Sequence, residues 1–211
     1  MSENLTQKNM SADSGYKEMK KMRDESFIRG DVPMTKSEIR AVSISKLELE
    51  PDSVLYDIGA GTGSVSIEAA RELPGGTVYA IERNPKALEL LRQNKEKFHT
   101  EQMVLVAGEA PEAMEALPVP THAFLGGTGG RSLEIMERLL KKNPDMRIVI
   151  NVIALESLNQ IMGSLKQLGK EPEVALISVS KARKMGNYHL MQGQNPVYVI
   201  SFGGPLKQQE D

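Results

Sequence analysis

Asp57-Ile58-Gly59-Ala60-Gly61-Thr62-Gly63 places an acid two residues ahead of three closely spaced glycines. An apolar run, Val54 to Ile58, leads into it, and Ser64 to Ala70 behind it reads as a helix. Strand, glycine loop and helix in that order bring backbone against a ligand with no side chains in the way. The spacing is G-x-G-x-G, whereas the dinucleotide fingerprint G-x-G-x-x-G would put its third glycine where Ser64 stands. That difference, with the acid at 57, favours S-adenosylmethionine over NAD. Free N–H groups at the start of the helix suit the cofactor's carboxylate. Asp57 has two open roles: a polar contact with the loop or the cofactor's cationic end, or simple organisation of the turn.

Other candidate residues fall at later strand ends. Glu82 closes the next apolar run, and its two oxygens suit the vicinal hydroxyls of a ribose. NAD sites use the same device, so Glu82 does not separate the cofactors. In Gly108-Glu109-Ala110-Pro111, the small Ala110 leaves its N–H open to an adenine nitrogen, and Glu109 can accept from the exocyclic amine. Gly126-Gly127-Thr128-Gly129-Gly130 precedes a helical segment, so its N–H groups form a natural anion nest. Lys181, Arg183 and Lys184, with Tyr188 and His189, are a second candidate for an anionic substrate. No catalytic dyad stands out. His99, His122 and His189 lack ligand spacing, so no metal site is expected.

Composition narrows the classes. The chain has 211 residues, a net charge of −2 and no cysteine, which excludes disulfides, thiolate metal sites and a cysteine nucleophile. That balance leaves no footprint for nucleic acid. No apolar run approaches the ~20 residues that span a bilayer, and the polar opening shows no secretory signal. A cytoplasmic location is expected.

The elements that must position these residues follow from periodicity. Strands are expected at Val54–Ile58, Thr77–Glu82, Met103–Val106, His122–Leu125, Arg147–Val152, Val174–Ser180 and Val197–Phe202. Helices are expected at Val65–Glu72, Pro85–Phe98, Pro111–Ala116, Arg131–Lys142 and Leu155–Leu168. Thr35-Lys36-Ser37-Glu38 matches a capping box for an earlier helix that Pro51 ends. The alternation predicts an α/β, Rossmann-like fold with a seven-stranded, mostly parallel sheet, an antiparallel last strand and helices on both faces. Lys181 to Gln194 reads as a loop or hairpin excursion. A flexible tail over 1–22 and one domain over 23–205 are expected.

Taken together, Asp57–Gly63, Arg83-Asn84-Pro85, Gly108–Pro111, Gly126–Gly130 and Gln194-Asn195-Pro196-Val197 resemble one family. It comprises the decarboxylating carbon-15 methyltransferases of precorrin-6B, or its cobalt form, in cobalamin biosynthesis. Asp24-Glu25-x-Phe27 and Val32-Pro33-Met34-Thr35-Lys36-x-Glu38-x-Arg40 extend the match. The resemblance implies a class I methyltransferase in which Gly59, Ala60, Gly61, Thr62 and Gly63 form the cofactor loop. Glu82 would hold the ribose, Ala110 the adenine, and Thr35 would close over the cofactor. Relatives commonly have Asp at 82 and 109, so each carboxylate here reaches one methylene further. The implied substrate is a tetrapyrrole rich in acetate and propionate groups, and the implied assembly is a homotetramer. The competing readings are another class I methyltransferase, acting on a small molecule or RNA, and an NAD-dependent oxidoreductase.

Overall fold

The computed structural model describes residues 22–204. The expected tail over 1–21 and residue 205 lie outside the described residues. Met22, which that tail would include, is buried.

The described residues form nine strands and five α-helices: β1 (Val54–Ile58), β2 (Thr77–Glu82), β3 (Met103–Ala107), β4 (His122–Leu125), β5 (Arg147–Val152), β6 (Glu173–Ile177), β7 (Ser180–Met185), β8 (Tyr188–Gly193) and β9 (Val197–Gly203), with α1 (Ser37–Leu47), α2 (Ser64–Ala70), α3 (Pro85–Phe98), α4 (Ser132–Lys142) and α5 (Leu155–Gln167). The main sheet has seven strands in the order β3-β2-β1-β4-β5-β9-β6. Neighbours from β3 to β5 pair parallel, and β9 inserts antiparallel between β5 and β6. The expected architecture is therefore present. Strand order reverses between β1 and β4, and ligands of open α/β sheets bind at the carboxyl ends beside such a reversal.

Both faces of the sheet are covered, which is why the β1 residues Leu55 to Ile58 are all buried instead of alternating between core and solvent. Leu55 packs on one side with residues of α1, α2 and α3, such as Leu47, Ile67 and Leu91. Tyr56 packs on the other with Ile135 and Met136 of α4 and Ile161 of α5.

Four local expectations need correction. The segment expected as one strand over Val174–Ser180 stops at Ile177, and Ser180 opens a separate two-stranded hairpin, β7–β8. Residues 111–116 hold only a short 3-10 turn at Glu112–Met114 instead of an α-helix. Lys36, not Thr35, is the N-cap of α1, and no side chain caps it. The Thr35 carbonyl instead accepts from the Arg40 guanidinium at 2.8 Å, while Glu38 pairs with Lys181 at 2.9 Å. Finally, α1 ends at Leu47, with Glu48 in a left-handed conformation, before Pro51 is reached.

Candidate functional site

The loop after β1 is fastened from beneath. Gly59 and Ala60 both donate to the Ile81 carbonyl of β2, at 3.0 and 3.1 Å. The Glu82 carboxylate accepts from the Gly61 N–H at 2.9 Å with one oxygen, and from Arg83 and Asn84 N–H at 2.9 and 2.8 Å with the other. Glu82 thus ties the glycine loop to the start of α3 and stays at the cavity wall. Asp57 is buried, and its Oδ2 accepts from the Ser66 hydroxyl of α2. Its Oδ1 has no partner. Burial pushes the Asp57 carboxyl up to about 6, against the Ser66 hydrogen bonds, and the nearby Glu82 charge adds to the rise.

A second set of contacts presses the lead-in segment onto this loop. Arg40 is completely buried on α1. It pairs with Glu68 of α2, reaches Asp24 at 3.2 Å, and donates to the Met22 and Thr35 carbonyls at 2.7 and 2.8 Å. Its guanidinium also lies 5.0 Å from the Phe27 ring centroid. Asn94 of α3, equally buried, exchanges hydrogen bonds of 2.8 Å with the backbone of Ile28 and donates to the Thr62 carbonyl at 2.9 Å. Residues 28 to 35 are therefore held at both ends, with the Pro33 carbonyl 3.3 Å from where a Cβ on Gly61 would sit.

The space left between these parts is a cavity of about 810 Å³. That is near the upper end of the ~300–1,000 Å³ usual for ligand sites. Thr35, Gly59, Ala60, Gly61, Thr62, Glu82, Glu109 and Ala110 all line it, as do Gly126, Gly127, Thr128 and Gly129; Gly63 and Gly130 do not. The two glycine loops touch: a Cβ on Gly59 would lie 2.7 Å from the Gly127 oxygen. Glu109 is engaged by Arg83 at 2.6 Å. Among the described residues, the Ala110 N–H has no acceptor.

The expected anion nest is only partly available. Gly126 and Gly127 N–H both point to the Ile58 carbonyl, at 3.0 and 3.4 Å, because the loop leaves β4 alongside the end of β1. The Gly130 carbonyl accepts from Gln160 of α5 at 2.6 Å. Lys181, Arg183, Lys184, Tyr188 and His189 lie on the exposed β7–β8 hairpin and none lines the cavity. His122 is at the opposite end of the sheet, where burial lowers its pKa.

Sequence reasoning missed one side of the chamber. Asn151, Ile153, Ala154 and Ser157 line it from the β5–α5 junction, and Gln194 and Asn195 from the start of β9. It also missed the clasp made by Arg40 and Asn94. A signal existed for Asn94, which falls three residues after Leu91 and seven after Ala87, on the buried stripe of α3.

The family description "precorrin methyltransferase domain" matches residues 26–202. The chain belongs to this family. A cobalt-precorrin-6B C(15)-methyltransferase (decarboxylating) from Salmonella typhimurium is 40% identical over 183 residues, covering 85% of this chain and 94% of the relative. A precorrin-6Y C5,15-methyltransferase from Geobacter metallireducens has the same fold, with a TM-score of 0.82 and 38% identity over 86% of this chain and 97% of that one. A structure named precorrin 8W decarboxylase, from Methanobacterium thermoautotrophicum, aligns with a TM-score of 0.81 and 32% identity, covering 86% and 99% of the two chains. The precorrin methyltransferase fold thus accounts for the described chain from the lead-in to β9.

Proposed function

We propose that the protein methylates carbon 15 of precorrin-6B or its cobalt form and releases carbon dioxide from the acetate on carbon 12. The observation that carries this reading is the contact between the two glycine loops, which makes one chamber large enough for a methyl donor and a second ligand. Residues 23–205 would act as a single methyltransferase domain, in the cytoplasm.

The chamber's residues fit S-adenosylmethionine. Glu82 keeps an acceptor site on Oε2 for a ribose hydroxyl, the Ala110 N–H is open to adenine, and the partnerless Asp57 oxygen suits a cationic group. Gly59 to Gly63 bring backbone within reach, and Thr35 closes the opposite side. Bound there, the cofactor supplies an electrophilic methyl group. The protein's task is then chiefly alignment: it holds donor and acceptor close and excludes water. Val152, Ile153 and Ile161 give the acceptor side a weakly polar wall. A carboxylate placed there loses carbon dioxide more readily, because its charge disperses as the bond breaks.

The acceptor's remaining carboxylates would meet Thr128 and Gly129, and Arg183 and Lys184 of the exposed hairpin offer further cations outside the chamber. We assign the assembly as a homotetramer. The support is the same hairpin, which exposes Met185, Tyr188 and Leu190 on one face and Met191 on the other.

Incubation with S-adenosylmethionine and cobalt-precorrin-6B, read by mass spectrometry, tests the reaction. The expected product has gained a methyl group and lost carbon dioxide. Methyl gain with the acetate retained would break the assignment, as would binding of NAD in preference to S-adenosylhomocysteine.

A further inference from the structure

Charge is unevenly placed in the chamber. Its cofactor side carries the carboxylates Asp57, Glu82 and Glu109. Of the described residues lining it, two are cationic, Lys36 and Arg83. Arg83 is bound to Glu109. The Lys36 side chain has no ion-pair or hydrogen-bond partner among the described residues, and the residue is half-buried. An ammonium at a chamber wall with no counter-charge among the described residues is available to an anion bound there.

Its place in the fold says what it faces. Lys36 is the N-cap of α1, and α1 packs over β5 and β9. Ser43 of α1 exchanges hydrogen bonds of 2.9 and 3.1 Å with Asn151 at the end of β5. Lys36 is therefore carried by a helix that rests on β5 and β9, whereas Glu82 ends β2 and Glu109 follows β3. Its backbone is fixed as well, because Arg40 grips the adjacent Thr35 carbonyl. Lys181, which the sequence nominates for the same duty, is already paired with Glu38.

We infer that Lys36 binds a non-reacting carboxylate of the acceptor molecule. The inference rests on the functional reading above and names the group that orients the acceptor in it. The carboxylate being decarboxylated needs a weakly polar surrounding. An ammonium beside it would stabilise its charge, so Lys36 holds a different side chain of the same ring system.

The test compares the wild type with Lys36→Met and Lys36→Arg. Affinity for cobalt-precorrin-6B is measured by calorimetry, steady-state KM alongside it, and S-adenosylhomocysteine binding reports the integrity of the cofactor side. Loss of one charge-assisted hydrogen bond should weaken acceptor binding about tenfold or more. KM should rise in step, homocysteine-cofactor affinity should not move, and Lys36→Arg should recover most of the loss. Equal acceptor binding by wild type and Lys36→Met overturns the inference, as does an equal fall in both ligands' affinities. A wild type that binds the tetrapyrrole through Lys36 but never turns it over would leave this inference standing and break the reaction assigned above.

Discussion

The loops at 59–63 and 126–130 share a composition but not a reason for it. In the first, the protein itself demands glycine. A Cβ on Gly59 would meet the Gly127 backbone at 2.7 Å, one on Gly61 the Pro33 carbonyl at 3.3 Å, and one on Gly63 the Leu91 side chain at 2.2 Å. In the second, Cβ atoms on Gly127 and Gly130 would have nothing within 4 Å. The first loop is glycine-rich because other chain segments are packed against it. The second is crowded at Gly126, where a Cβ would lie 3.2 Å from the Phe124 ring, but open at Gly127 and Gly130, and at Gly127 the room is the chamber. Crowding marks a scaffold, whereas unclaimed space beside a chamber marks a place kept for a ligand.

Substitutions can break that contrast. Gly59→Ala should have the largest effect. Its φ of +76° adds ~1–2 kcal/mol of strain for an L side chain, and the obstructing atoms are backbone that cannot rotate away. The expected outcome is loss of S-adenosylhomocysteine binding in calorimetry and a lowered Tm, since both loops must shift. Normal binding by Gly59→Ala would mean that the loops do not depend on each other.

Asp57 offers a sharper view of the first loop. With its folded pKa near 6, above the ordinary ~3.9 of an unfolded Asp, the native state holds the proton more tightly. Stability should therefore fall as pH rises from about 4 to about 6 and stay level beyond, a loss on the order of 3 kcal/mol. Denaturant titrations of wild type and Asp57→Asn should diverge across that window. Saturating S-adenosylmethionine should flatten the wild-type slope if its cationic end meets the free Asp57 oxygen. A slope identical in Asp57→Asn would assign it to another group.

The smallest effect on stability belongs to Gly127→Ala. Nothing obstructs the added methyl group and the backbone is not left-handed, so Tm should hold or rise slightly. Acceptor KM should nonetheless rise about tenfold through lost room in the chamber. An unchanged KM would show that the space beside Gly127 serves no ligand.

The same contrast explains what could be read from sequence. The first loop, Glu82 and Ala110 were legible because each follows its strand directly, so chain order alone puts them at one edge of the sheet. The antiparallel insertion of β9 follows from the missing helix before it. The opposite wall was not legible. Lys36, Asn151 and Gln194 come from distant parts of the chain, and only packing of α1 over β5 and β9 brings them together. Thr35 looked like a helix cap because Glu38 stands three residues later. Arg40 overrides that pattern by taking the Thr35 carbonyl, and Lys181 engages Glu38. Arg40 carries no local signal of its burial, since its partners Asp24 and Glu68 are 16 and 28 residues away. The helix expected at 111–116 fails because only Glu112–Met114 turn before the chain heads for β4.

A ternary crystal structure with S-adenosylhomocysteine and cobalt-precorrin-6B would test the division of the chamber most directly. The predicted result is the nucleoside between Glu82 and Ala110, with the tetrapyrrole against Ile153 and one of its carboxylates on Lys36. A tetrapyrrole lying across the β7–β8 hairpin, with Lys36 contacting no part of it, would contradict the account.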